Sequence, residues 1–127
     1  MSILLAAALL LAPTDASQNS FASRVTQAKL TEATAAGSTY QTQLWAKIGN
    51  PTTNALKACI DSNAPANKAP FTLVSEVQAD GKPAHVDVFP ATPVANCFAG
   101  QFASWTLPTP PEKPVPYPIE IDVSIVP

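Results

Sequence analysis

Side chains able to do chemistry are sparse in this sequence and fall into three small sets: Cys59 with Cys97, His85 with Asp87, and Glu120 with Asp122. Two cysteines and one distant histidine cannot make the closed four-ligand site of a structural zinc. In an oxidising compartment an even cysteine count in a small domain implies one disulfide, Cys59–Cys97; the alternative is two free buried thiols. His85 and Asp87 are two apart, so on a strand they share a face. A carboxylate there could orient the imidazole as a general base, but no nucleophile or third ligand accompanies the pair, and a solvated strand face is the ordinary reading. Glu120 and Asp122 repeat the spacing. Paired carboxylates can do acid and base work, yet on an outer strand they more often blunt an edge against aggregation. Neither a Gly-x-Ser-x-Gly elbow nor a phosphate-binding glycine loop occurs, and the chain has only four glycines. The expectation is a protein that is not an enzyme, with no catalytic residues, no metal and no cofactor.

The composition narrows the partners. A chain of 127 residues supports one domain, and seven scattered Lys and Arg with a net charge of -2 cannot form a phosphate-neutralising stripe, so nucleic acid is excluded. Residues Ile3 to Ala12, ILLAAALLLA, are an unbroken apolar run. Ten residues are too few for a membrane-spanning helix, which needs about twenty, and suit the core of a signal peptide. Small residues place cleavage after Ala16, or after Ala22 as second choice, although no basic residue precedes the run. Residues 1–16 are thus read as a signal peptide and the protein as periplasmic or secreted, with no stable membrane anchor after cleavage. Residues 17–38, rich in Ala, Ser, Thr and Gln, read as a polar tether or loose helix ended by Gly37, with too little apolar surface for the core to need it.

The elements that must position these side chains follow from periodicity. Leu44, Trp45 and Ile48 suggest a short helix over 39–47 with Trp45 covering an edge of the core. Asn50 and Pro51 can cap and open a second helix whose stripe of Ala55, Leu56, Cys59 and Ile60 carries the first cysteine inward. Phe71 to Gln78 alternates as a strand, Ala79-Asp80-Gly81-Lys82 supplies a tight turn, and Ala84, Val86 and Val88 alternate with His85, Asp87 and Phe89 on the returning strand. Thr92-Pro93 starts a helix on which Val94, Cys97, Phe98, Phe102 and Trp105 share a face. A proline-rich stretch, LPTPPEKPVPYP, should run extended over the surface. Ile119, Ile121, Val123 and Ile125 then alternate with Glu120, Asp122 and Ser124 in the clearest strand of all. The expected fold over residues 39–127 is α+β: two helices packed on one face of a small three-stranded antiparallel sheet, stapled by one disulfide.

The segments ALKACI, FTLVSEVQADGKPAHVDV, PVANCF, a W-x-L-P-x-P-P turn and the closing YPIEIDVSI together resemble the C-terminal domain of TonB. They are most similar to the periplasmic TonB-C-like proteins of the AgmX/PglI type, which carry one cysteine in each of two helices, as here at Cys59 and Cys97. The resemblance spans Asn50 to Val126. It implies a periplasmic interaction module that contacts outer-membrane proteins, often by pairing an extended partner segment with a sheet edge. Two departures tell against energy transduction: the apolar run lacks a histidine, and no long Pro-Glu-Lys spacer follows it.

The functional expectation is a TonB-C-like protein–protein interaction module, accessory to TonB-type outer-membrane transport. Its partner would be an envelope protein or an extended peptide segment, held by edge pairing along Ile119, Glu120, Ile121, Asp122, Val123, Ser124 and Ile125. The alternatives are a small exported hydrolase using His85, or a structural companion of an envelope complex.

Overall fold

The computed structural model describes residues 20–126, so the expected signal peptide at 1–16 lies outside the described residues. Three helices and three strands follow in the order α1 (Phe21–Glu32), α2 (Ala35–Ser62), β1 (Phe71–Val77), β2 (Pro83–Phe89), α3 (Pro93–Phe102) and β3 (Tyr117–Val123). The strands form an antiparallel sheet in the order β2-β1-β3. This is the expected α+β architecture, with the anticipated disulfide between Cys59 of α2 and Cys97 of α3, whose Cα atoms are 5.7 Å apart. On the chain-entropy model, linking residues 38 apart contributes about 4 kcal/mol.

The core lies between the sheet and the helix pair α2–α3. Phe71, Leu73 and Val77 from β1 and Tyr117, Ile119, Ile121 and Val123 from β3 share it with Val94, Phe98 and Phe102 of α3. Thr92 caps α3 by accepting the Ala95 N–H at 3.1 Å, with Pro93 in the first turn. The helix stops at Phe102. Trp105 lies past its end, where its ring still packs against Phe98 and Phe102 at centroid distances of 5.9 and 5.4 Å.

Residues 39–62 differ from expectation. A single helix of 28 residues, about 42 Å long, runs through Asn50 and Pro51, which neither cap nor start anything. Proline inside a helix removes one hydrogen bond and crowds the preceding turn. Pro51 sits on the exposed side, while a buried stripe of Gly37, Tyr40, Leu44, Ile48, Thr52, Ala55 and Cys59 continues unbroken on the other. Burial along that stripe outweighs the break. Trp45 is one position off it and stays 41 % exposed, so it does not cover the core.

The larger correction concerns residues 17–38. From Ser20 onward this segment is an ordered part of the fold, and it packs on the sheet face opposite the core. Ser20 caps α1 by accepting the Ser23 N–H. Phe21 packs against Phe89 of β2, Arg24 reaches Asp87, Ala28 is fully buried, and Lys29 reaches Glu120 and Asp122 of β3. The helix therefore crosses the sheet from β2 to β3 and turns at Ala33-Thr34 into α2, which lies on the other face. Gly37 does not terminate a helix. It sits in the first turn of α2, where a Cβ would collide with the Thr31 carbonyl oxygen, so glycine is what lets the two helices meet so closely.

The hairpin joining β1 and β2 uses a three-residue loop. Gly81 N–H donates to the Gln78 carbonyl at 2.8 Å, the Gln78 N–H donates to the Lys82 carbonyl, and Gly81 takes a φ of +87°. This is a tight turn closed by a glycine bulge, with only Gly81 in the left-handed region.

Candidate functional site

A three-stranded sheet has two edges, and here they differ. On β2 the register with β1 shifts between Val74 and Glu76, leaving His85 and Val86 opposite Ser75, and His85 takes a φ of +50°. The bulge breaks the expected alternation: Ala84 stands opposite Glu76, on the face away from Val86 and Val88. Arg24 Nη2 donates to the His85 carbonyl at 2.6 Å, the Ser75 hydroxyl donates to the Ala84 carbonyl at 2.9 Å, and His85 Nδ1 lies 2.9 Å from Glu76 Oε1. With Pro83 at one end and Pro90 just past the other, this edge is poorly shaped to accept another strand.

His85 and Asp87 do lean to the same side of the sheet, but they form no dyad. The imidazole meets Glu76, whereas Asp87 Oδ2 is 3.1 Å from Arg24 Nη1. Among the described residues, no group of three or more His, Cys, Asp or Glu could hold a metal ion.

The β3 edge is regular. Seven consecutive residues, Tyr117 to Val123, pair with Val77 to Phe71 without a bulge. Among the described residues no backbone-to-backbone hydrogen bond of β3 is made outside this ladder. Ile119, Ile121 and Val123 are buried in the core and Ile125 is half-buried beyond the strand, so side chains at these positions cannot reach a partner. Asp122 and Ser124 are exposed. The accessible part of the candidate edge is thus Asp122 and Ser124, towards its C-terminal end.

Glu120 and Asp122 share a face as their spacing predicts, but only Asp122 is solvated, because α1 covers Glu120. Glu120 is 8 % exposed, and Lys29 Nζ bridges its Oε1 at 3.2 Å and Asp122 Oδ2 at 3.4 Å. The Glu120 carboxylate beside it raises the Lys29 pKa, chiefly through their hydrogen bond. Asp122 is held below its ordinary value, first by the Thr72 hydroxyl donating to Oδ1 at 2.8 Å and further by Glu120 and Lys29. Glu32, at the end of α1, is a neighbour of Glu120. Burial first, and Glu120 second, push its pKa up to about 7. The end of α1 thus covers the middle of the β3 edge. Sequence reasoning missed Lys29 and Glu32; the signal was their three-residue spacing in the first helix, which had no visible counterpart to pair with.

At the end of the sheet where β1 stops and β3 begins, Val77, Ala79, Pro110, Pro111, Pro114 and Tyr117 line an apolar concavity of about 300 Å³. The proline segment above it is neither helix nor strand, is exposed from Glu112 to Pro116, and is anchored by buried Leu107 and by the Tyr40 hydroxyl, which donates to the Pro108 carbonyl at 2.8 Å.

No family model, curated protein or solved structure matches this chain. Among the described residues no helix is long and apolar enough to cross a membrane.

Proposed function

We propose that this protein is an exported TonB-C-like interaction module that pairs an extended segment of an envelope protein with the free edge of β3, as an accessory to outer-membrane transport without energy transduction. The observation that carries the reading is the contrast between the edges: β2 is bulged, proline-flanked and pinned by Arg24, whereas β3 is regular, with Asp122 and Ser124 exposed towards its C-terminal end. The disulfide supports an oxidising compartment. Cleavage after Ala16 is favoured over Ala22, because the latter would remove the Ser20 cap and Phe21, which packs on Phe89. Intact mass of the protein from its host's envelope, before and after reduction, tests export: a chain lacking residues 1–16 with two thiols appearing only on reduction is expected, and a full-length chain in the membrane fraction refutes it.

Edge pairing is tested by placing a photo-crosslinking residue at Ser124 or at Phe89, both exposed, and irradiating the living host. A discrete adduct from position 124 and none from 89 is the expected result. Equal labelling at both positions, or at neither, overturns the reading.

A further inference from the structure

The packing of α1 carries an inference that does not depend on the proposed partner. Around Lys29 lie three carboxyls, Glu32, Glu120 and Asp122, and only one ammonium. Glu120 is buried, and Glu32 Oε2 is buried without a hydrogen-bond partner among the described residues. So are the Tyr117 hydroxyl and the Gln41 amide nitrogen. With all three carboxyls ionised the cluster holds an excess of negative charge out of water, which is costly.

We propose that Glu32 and Glu120 act as a proton-operated latch fastening α1 and its turn into α2 over the middle of the β3 edge. In the closed state one proton taken from solvent stays on the Glu32 carboxyl, which hydrogen-bonds the Glu120 carboxylate, while the Lys29 ammonium bridges Glu120 and Asp122 and offsets one of their two charges. In the open state Glu32 gives that proton back, two carboxylates face each other with one ammonium between three, and α1 loosens from β3. Burial first and Glu120 second raise the Glu32 pKa from 4.5 to about 7, and burial first and the Glu32 charge second raise that of Tyr117. The folded protein holds this proton more tightly than the unfolded chain, so unfolding releases it. The contribution of this group is therefore fully present below about 4.5 and is lost as pH rises through about 7.

The other groups facing α1 are Glu76 of β1, His85 and Asp87 of β2, Tyr117 of β3, and Lys113, which lines a groove with Leu30 and Thr31. Its own Arg24 completes the set, and α2 contributes Tyr40 and Gln41 but no charge before Lys47. The His85 imidazole meets Glu76 and its carbonyl accepts from Arg24 of α1, so its effect on α1 must be separated from that of Glu32.

The test is hydrogen exchange of the α1 amides in the intact, oxidised protein, corrected for intrinsic exchange. Protection of residues 24–32 is expected to fall roughly tenfold between about pH 5.5 and about pH 8.5, with β1 unchanged. Glu32→Gln should abolish the slope and keep α1 protected, whereas His85→Gln should leave it in place. A flat wild-type profile overturns the latch, as does a slope that survives Glu32→Gln. Carbon-13 titration of the wild-type carboxyls needs no variant: Glu32 titrating at an ordinary carboxyl value would equally overturn it.

Discussion

On one face of the sheet Leu73, Ile119 and Ile121 share a dry core with Leu44, Phe98 and Phe102, pinned by Cys59–Cys97. On the other, α1 rests on Asp87, Glu120 and Asp122 through Arg24 and Lys29, and among the described apolar residues only Ala28 and Val74 are fully buried outside the main core. Apolar burial scales with area and is insensitive to salt and pH, whereas ion pairs at a half-exposed face depend on both. The apolar face thus holds the domain together and the charged face can adjust. α1 crosses the charged face, so the part of the molecule nearest the free β3 edge is also the part most easily loosened.

Three substitutions would break or sharpen this contrast. Phe98→Ala, which removes a fully buried ring packed on Phe71, Phe102 and Trp105, should cost about 3–5 kcal/mol in urea unfolding, a large share of a total of about 5–15 kcal/mol. A loss below about 1 kcal/mol would mean the apolar face is not the stabilising one. Ala28→Leu overpacks the second face and should cost about 1–3 kcal/mol, read as faster exchange in α1 while β1 and α3 stay protected. Uniform acceleration would show that the two faces unfold as one unit. Arg24→Ala should cost only about 0.5–1 kcal/mol, because the Asp87 side chain is 70 % exposed. Most of that loss should vanish in roughly 0.5 M NaCl. Any remainder measures the uncharged contact with the His85 carbonyl.

The legibility of the fold follows the same division. The Thr92-Pro93 helix start, the Phe71 and Ile119 strands and the hairpin at Gly81 could all be read, because apolar periodicity and turn chemistry are local. The continuous α2 could not, since Asn50-Pro51 is locally a good helix start and only burial of Ile48, Thr52 and Ala55 on one stripe carries the helix through it. The bulge at His85 was equally hidden: strict alternation in AHVDVF suggests a regular strand, and the break appears only through contacts with Arg24 and Glu76. Trp45 looked like core cover by residue type, but its position on the helix leaves it outside.

What the sequence determined by itself was the α+β order of elements, the pairing of the only two cysteines, and which side chains of β1 and β3 face the core. Each of these depends on residue type and spacing within one segment, or on there being no other partner. Tertiary structure alone decided the fate of Arg24, Lys29, Glu32, Asp87, Glu120 and Asp122. A charged side chain looks the same in a sequence whether it faces water or an opposite charge, and pairs such as Lys29–Glu120 are 91 residues apart. Folding α1 back across the sheet brings those charges together, covers the middle of one strand edge, and leaves its end exposed.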